Sequence, residues 1–87
     1  METRLALAAV SVQKDRPPIV KHSVVLVGHK TSVSLEDQFW EGLHEIARRE
    51  GVTLTELVER IDIERTRHNL SSAIRVFVLR HFRDRLT

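Results

Sequence analysis

The chain has no cysteine. That excludes a disulfide framework, a thiolate zinc site and a cysteine nucleophile, and it fits a reducing compartment. Only three glycines are present, and none belongs to a phosphate-cradling loop. Both prolines stand side by side, in Arg16-Pro17-Pro18, where they block a helix and disfavour a central strand. No apolar run approaches the roughly 18 residues a membrane span needs. The opening METRLALAAV is too short in its apolar part for a signal peptide. The expectation is therefore a soluble, cytoplasmic protein with no membrane partner. No nucleophile elbow and no H-E-x-x-H occur, so no enzyme is expected. None of His22, His29, His44, His68 and His81 has a second histidine three or four residues away, so no metal and no cofactor are expected.

What is present suffices for one folded domain. Of the 87 residues, 41% are hydrophobic and 30% charged, enough apolar surface to collapse and too little length for a second core. That core should use nearly all the apolar residues and leave no sizeable pocket. The net charge of +2 conceals a segregation. Residues 1–35 carry a balance of +3, residues 36–64 of −6 and residues 65–87 of +5. A chain basic at both ends suggests a basic surface able to meet an anion such as nucleic acid. The plainer reading of Arg65, Arg67, Arg75, Arg80, Arg83 and Arg85 is a solvated helix end that complements the helix dipole.

Residues 1–18 read as a flexible tail or linker and residues 19–87 as the domain. Val20 and Val24–Val27 form a β-branched-rich patch, which Gly28-His29 interrupts as a turn or bulge would. Residues 30–35 then alternate as a strand: Thr31, Val33 and Leu35 fall on one face, Lys30, Ser32 and Ser34 on the other. Residues 36–50 read as a helix with Phe39, Trp40, Leu43, Ile46 and Ala47 on its buried stripe. Ser34 and Asp37 resemble a capping box at its start, and Gly51 offers a left-handed exit. Thr53 and Glu56 form a second capping box, opening a helix over 53–65 with Leu54, Leu57, Val58 and Ile61 inward. Asn69 is an N-cap for a third helix over 70–84, with Leu70, Ala73, Ile74, Phe77, Val78 and Phe82 on one face. Val76 and Leu79 add apolar surface on another side, so this helix wants a further neighbour, such as a second copy.

The strand at 30–35 also needs a neighbour, because a lone strand leaves main-chain groups unpaired on both edges. Two solutions are open: residues 23–27 fold back on it as a hairpin, or it pairs antiparallel with the same strand of a second subunit.

The order of a Lys30-Thr31-Ser32-Val33-Ser34-Leu35 strand, an acidic helix start at Glu36-Asp37, Gly51 and a helix opening at Thr53 resembles the ribbon-helix-helix family of Arc/MetJ-type repressors. The likeness extends through Gly28-His29, Phe39-Trp40, Ile61-Asp62 and the run Asn69-Leu70-Ser71-Ser72-Ala73-Ile74-Arg75-Val76-Phe77-Val78-Leu79, about residues 20–83 in all. It resembles a small bacterial branch of that family. The resemblance implies a mainly α fold with a short β ribbon, one strand per subunit paired across a homodimer, here with a third helix. It implies a transcriptional regulator that inserts the ribbon in the major groove of double-stranded DNA. Lys30, Ser32 and Ser34 would read bases, with modest selectivity. His29, Thr53, Thr55 and Ser71 would contact phosphates. Val33, Leu35, Trp40, Leu43, Ile74 and Phe77 would form the dimer core. By spacing, Thr53 opens the family's second helix; the segment from Asn69 to Arg75 resembles such a start too, which would move the phosphate clamp to Asn69, Ser71 and Ser72. The alternative function is a dimeric protein-interaction module with a specific protein partner and weak or no DNA binding.

Overall fold

The computed structural model describes residues 18–65 and 69–86. Two antiparallel strands, β1 (Ile19–Leu26) and β2 (His29–Glu36), precede three helices, α1 (Asp37–Glu50), α2 (Leu54–Glu64) and α3 (Leu70–Arg85). Most of the 1–18 tail, His68, Arg67 and the end of the chain lie outside the described residues.

The ribbon is a hairpin within one chain, not one strand from each of two subunits. Val27-Gly28 forms a two-residue turn, and the register runs from Leu26 opposite His29 to Ile19 opposite Glu36. The turn needs a left-handed residue, and Gly28 supplies it at φ 85°. Alternation does the rest. Val24 and Leu26 face the same way as Val33 and Leu35, so a chain that folds back here buries both apolar rows against the helices at once. Glu59 of α2 fastens the turn: its carboxylate accepts the Val27 N–H at 2.7 Å.

Beneath the hairpin the core is wholly apolar. Leu43, Ile46 and Ala47 of α1, Leu57, Val58 and Ile61 of α2, and Leu70, Ile74 and Val78 of α3 close on it. Four residues expected at a shared dimer core, Val33, Leu35, Leu43 and Ile74, are completely buried inside the single chain. Trp40 and Phe77 pack at its margin. Trp40 is stacked on His22 of β1, with ring centroids 3.9 Å apart and planes 6° from parallel, and His44 meets its edge.

The helix ends follow local chemistry, with one departure. Helix α1 begins after Glu36, whose side chain makes no cap bond; the Ser34–Asp37 capping box does not form, because Ser34 is still within β2. Gly51 ends α1 in the left-handed region, at φ 70°. Helix α2 has the full Thr53–Glu56 box, and the Asn69 side chain caps α3 by accepting from the Ser72 N–H.

Gly42 lets α1 pack closely against α3. A Cβ there would lie 2.9 Å from Val78 Cγ1 and 3.3 Å from Phe82 Cε2. Alanine would gain about 1 kcal/mol of helix propensity but force a buried, β-branched neighbour aside, at a cost of about 1–3 kcal/mol. Gly42→Ala is expected to lower stability by about 1 kcal/mol net, read as a lower urea midpoint with an unchanged slope; an equal or higher midpoint would mean that the two helices can separate freely.

Candidate nucleic-acid interface

The outward row of β2 is Lys30, Ser32 and Ser34, all exposed, and by the same parity it ends at the half-buried Glu36. Strand β1 doubles that row. Lys21 stands opposite Ser34, Ser23 opposite Ser32 and Val25 opposite Lys30, and all three are exposed. The sequence reading did not place Lys21, Ser23 and Val25. Their alternation with Val20, His22, Val24 and Leu26 was the available signal. Two strands side by side match the width of a major groove, about 12 Å. His29 has the opposite parity to Lys30, so it belongs to the other face of the strand and is exposed at the turn end of the hairpin.

One end of this row continues into helix α3. Ser34 is not bonded to β1 through its main chain, because the pairing alternates and its N–H and C=O point to the outer edge of the hairpin. Both find partners on α3. The Ser34 N–H donates to Ser71 Oγ at 2.9 Å, and Arg75 Nη2 donates to the Ser34 carbonyl at 3.1 Å. Arg75 Nε also donates to Glu36 Oε1 at 2.9 Å, and its guanidinium lies 6.0 Å from the Phe39 ring centroid. The hydrogen bond from Arg75 is the main cause that holds the Glu36 carboxyl below the usual carboxylate range, assisted by its own backbone N–H. Glu36 thus sits at the ribbon's edge as half of an ion pair.

Together these residues wall an open groove of about 500 Å³, lined by Thr31, Ser32 and Ser34 on one side and Asn69, Ser71, Arg65 and Arg75 on the other. A second groove, of about 420 Å³, runs between α2 and α3 past Ile61, Val76 and Phe77. The expectation that no sizeable pocket remains does not hold. Three short helices packed on a two-stranded sheet leave clefts between their ends, though neither is an enclosed cavity.

The two helix starts differ as anion sites. Asn69 takes one N–H of α3, no acidic residue stands in its first turn, and Ser71 and Arg75 are adjacent. At α2 the capping box places a carboxylate over the same kind of N–H groups: Thr53 N–H donates to Glu56 Oε1 at 2.8 Å. The Thr53 backbone and side chain hold Glu56 below its ordinary range, so it stays charged. A phosphate arriving at Thr53 or Thr55 meets that charge, whereas the first turn of α3 has no acidic residue of its own and the Glu36 carboxylate near it is paired with Arg75. Thr53 and Thr55 are not among the residues that line the groove beside Ser32 and Ser34; Ser71 is. Among the described residues no cluster of histidine, aspartate and glutamate is arranged to hold a metal ion, and no helix is long and apolar enough to cross a membrane.

Comparison with known proteins bears on this arrangement. The family model described as the ribbon-helix-helix domain matches residues 19–82, from the first residue of β1 into α3. The chain belongs to the ribbon-helix-helix family. Members of this family are typically DNA-binding proteins without enzymatic activity. Among solved structures the chain is similar to an uncharacterized protein from Bordetella pertussis Tohama I, with 38% identity and a TM-score of 0.60. The match covers 72% of this chain and 54% of that one, so this ribbon-helix-helix protein corresponds to about half the length of its neighbour. No curated protein matches the chain.

The capping box makes the α2 start testable without any ligand. Thr53→Ala should cost about 1 kcal/mol of stability. The folded pKa of Glu56 is lowered, so its contribution is complete above the unfolded value and lost as the pH falls through the folded value. Glu56→Gln keeps the hydrogen-bonding pattern of the box but cannot titrate. Thermal unfolding below the ordinary glutamate range should therefore show a shallower acid decline for this variant than for the wild type. An identical decline would mean that the box is not formed in solution.

Proposed function

We propose that this protein is a homodimeric DNA-binding protein, a transcriptional regulator, that sets its β ribbon in the major groove. The observation that carries the reading is the continuity of the exposed Lys30–Ser32–Ser34 row, through one shared groove, with the start of α3, whose first turn has no acidic residue of its own. Lys30 donates to guanine O6 or N7; Ser32 and Ser34 donate or accept and discriminate less. A phosphate binds at the first N–H groups of α3 beside the Ser71 hydroxyl, which accepts from Ser34 and still has its own hydrogen to donate. This assigns the clamp to Asn69, Ser71 and Ser72 in preference to Thr53 and Thr55, because Glu56 already neutralises the start of α2. Affinity comes mainly from phosphate neutralisation and selectivity from the ribbon. Family membership supports both the dimer and the DNA.

A second reading, a dimeric protein-interaction module with little DNA affinity, is favoured by one observation. Val76 and Leu79 on the outer side of α3 are 44% and 56% exposed. Such a face suits a protein partner or a second copy.

Fluorescence anisotropy against random-sequence duplex DNA, titrated from low to physiological salt, separates the two readings. For about four to six neutralised phosphates the log–log slope is expected near −4 to −5. Lys30→Ala should weaken binding and flatten the slope by roughly one for each copy that contacts DNA. An unchanged affinity would remove Lys30 from the interface, and no binding even at low salt would favour the interaction module.

A further inference from the structure

Resting on the DNA-binding reading, we propose that Val25 of β1 is a base-reading residue that contacts the 5-methyl group of thymine, beside a guanine held by Lys30. Val25 is 61% exposed on the outward face of the hairpin. The central members of that face are otherwise hydrogen-bonding side chains: Lys21 and Ser23 on the same strand, and Lys30, Ser32 and Ser34 across from it. Ile19, the other outward aliphatic of the strands, lies at the far end and lines the groove at α3, and Val27, also exposed, belongs to the turn. Base edges in the major groove present donors, acceptors and one apolar group, the thymine methyl. An aliphatic side chain in an otherwise polar reading face has that methyl as its complement.

The register makes the inference specific. Val25 stands opposite Lys30, at a pair that does not exchange main-chain hydrogen bonds, since the turn-closing pair Leu26–His29 does and the pattern alternates. Side chains of such pairs lie closest, with Cα atoms about 4.5 Å apart, close to the spacing of successive base pairs, about 3.4 Å. The two residues therefore address adjacent base pairs, and the preferred site contains a thymine next to a guanine. Strand β1 then supplies sequence information from the same chain, and the hairpin is the unit that reads.

The test starts from duplexes selected out of a random pool by the wild-type protein. Each thymine is then replaced by deoxyuridine, which lacks only the 5-methyl group. One thymine per bound hairpin, adjacent to a guanine, should show a loss of about fourfold in wild-type affinity, the value of one buried methylene-sized group. Val25→Ser should bind the selected duplex more weakly and show no further loss at that position. Val25→Thr keeps the branched shape and one methyl, and should retain part of the discrimination. Circular dichroism and the unfolding midpoint confirm that both variants are folded. The proposal is overturned if the wild type binds yet is indifferent to every deoxyuridine, or if Val25→Ser loses as much as the wild type. Failure of the wild type to bind any duplex would instead overturn the DNA-binding reading itself, and this inference with it.

Discussion

The structure depends on how the outer edge of β2 is satisfied. A two-stranded sheet has two open edges, and each leaves alternate N–H and C=O groups without main-chain partners. At Ser34 the solution is a helix: Ser71 accepts the N–H and Arg75 donates to the carbonyl. Those two contacts set where α3 starts relative to the ribbon. They also place its first turn beside the exposed serines. The same arginine reaches Glu36, so the end of β2, the start of α1 and the start of α3 are held at one point. Hydrogen bonds to a charged group contribute more than neutral ones, roughly 1.5–3 kcal/mol each when solvent is excluded. This cluster is partly exposed, and its chief effect is to fix geometry.

Charge segregation along the chain becomes charge segregation in space through local pairing. Much of the acidic middle segment is occupied. Glu36 binds Arg75, Glu56 caps α2, Glu59 holds the hairpin turn, and Glu50 and Asp62 pair with Arg60 and Arg65. Exposed pairs of this kind add little stability singly. They do place carboxylates at helix starts and at the turn; Glu36 ends the outward row of β2 itself, held by Arg75, and two lysines stand among the serines and Val25 farther along the ribbon. The row thus combines two lysines with one carboxylate that Arg75 already pairs.

Turn chemistry decided the nature of the ribbon. The apolar alternation of residues 24–35 is compatible with a hairpin and with a strand shared between two copies, because either arrangement buries Val33 and Leu35. Gly28 at positive φ, the acceptance of the Val27 N–H by Glu59, and the burial of Val24 and Leu26 all act within one chain. They make the intrachain solution complete. Residues that a shared strand would have buried between subunits are covered inside the protomer, and the apolar side chains left exposed include Val76 and Leu79 on α3, Ile63 on α2, and Ile19, Val25 and Val27 on the hairpin.

The sequence by itself determined the three helices, the Thr53 and Asn69 caps, the Gly51 exit and the facing of Lys30, Ser32 and Ser34, because helix periodicity, capping and strand alternation are local rules. It also carried the family resemblance. Only the tertiary structure decided that β1 pairs with β2, that Lys21, Ser23 and Val25 join the outward row, and that Ser71 and Arg75 close on Ser34. These depend on which distant segments meet, and residues 37 to 41 positions apart are brought together by packing, not by any local preference. The difference between the two helix starts was half legible. Glu56 is visible as a capping residue in the sequence, but its consequence for an anion appears only when the start of α3, with no such carboxylate in its first turn, is seen beside the ribbon.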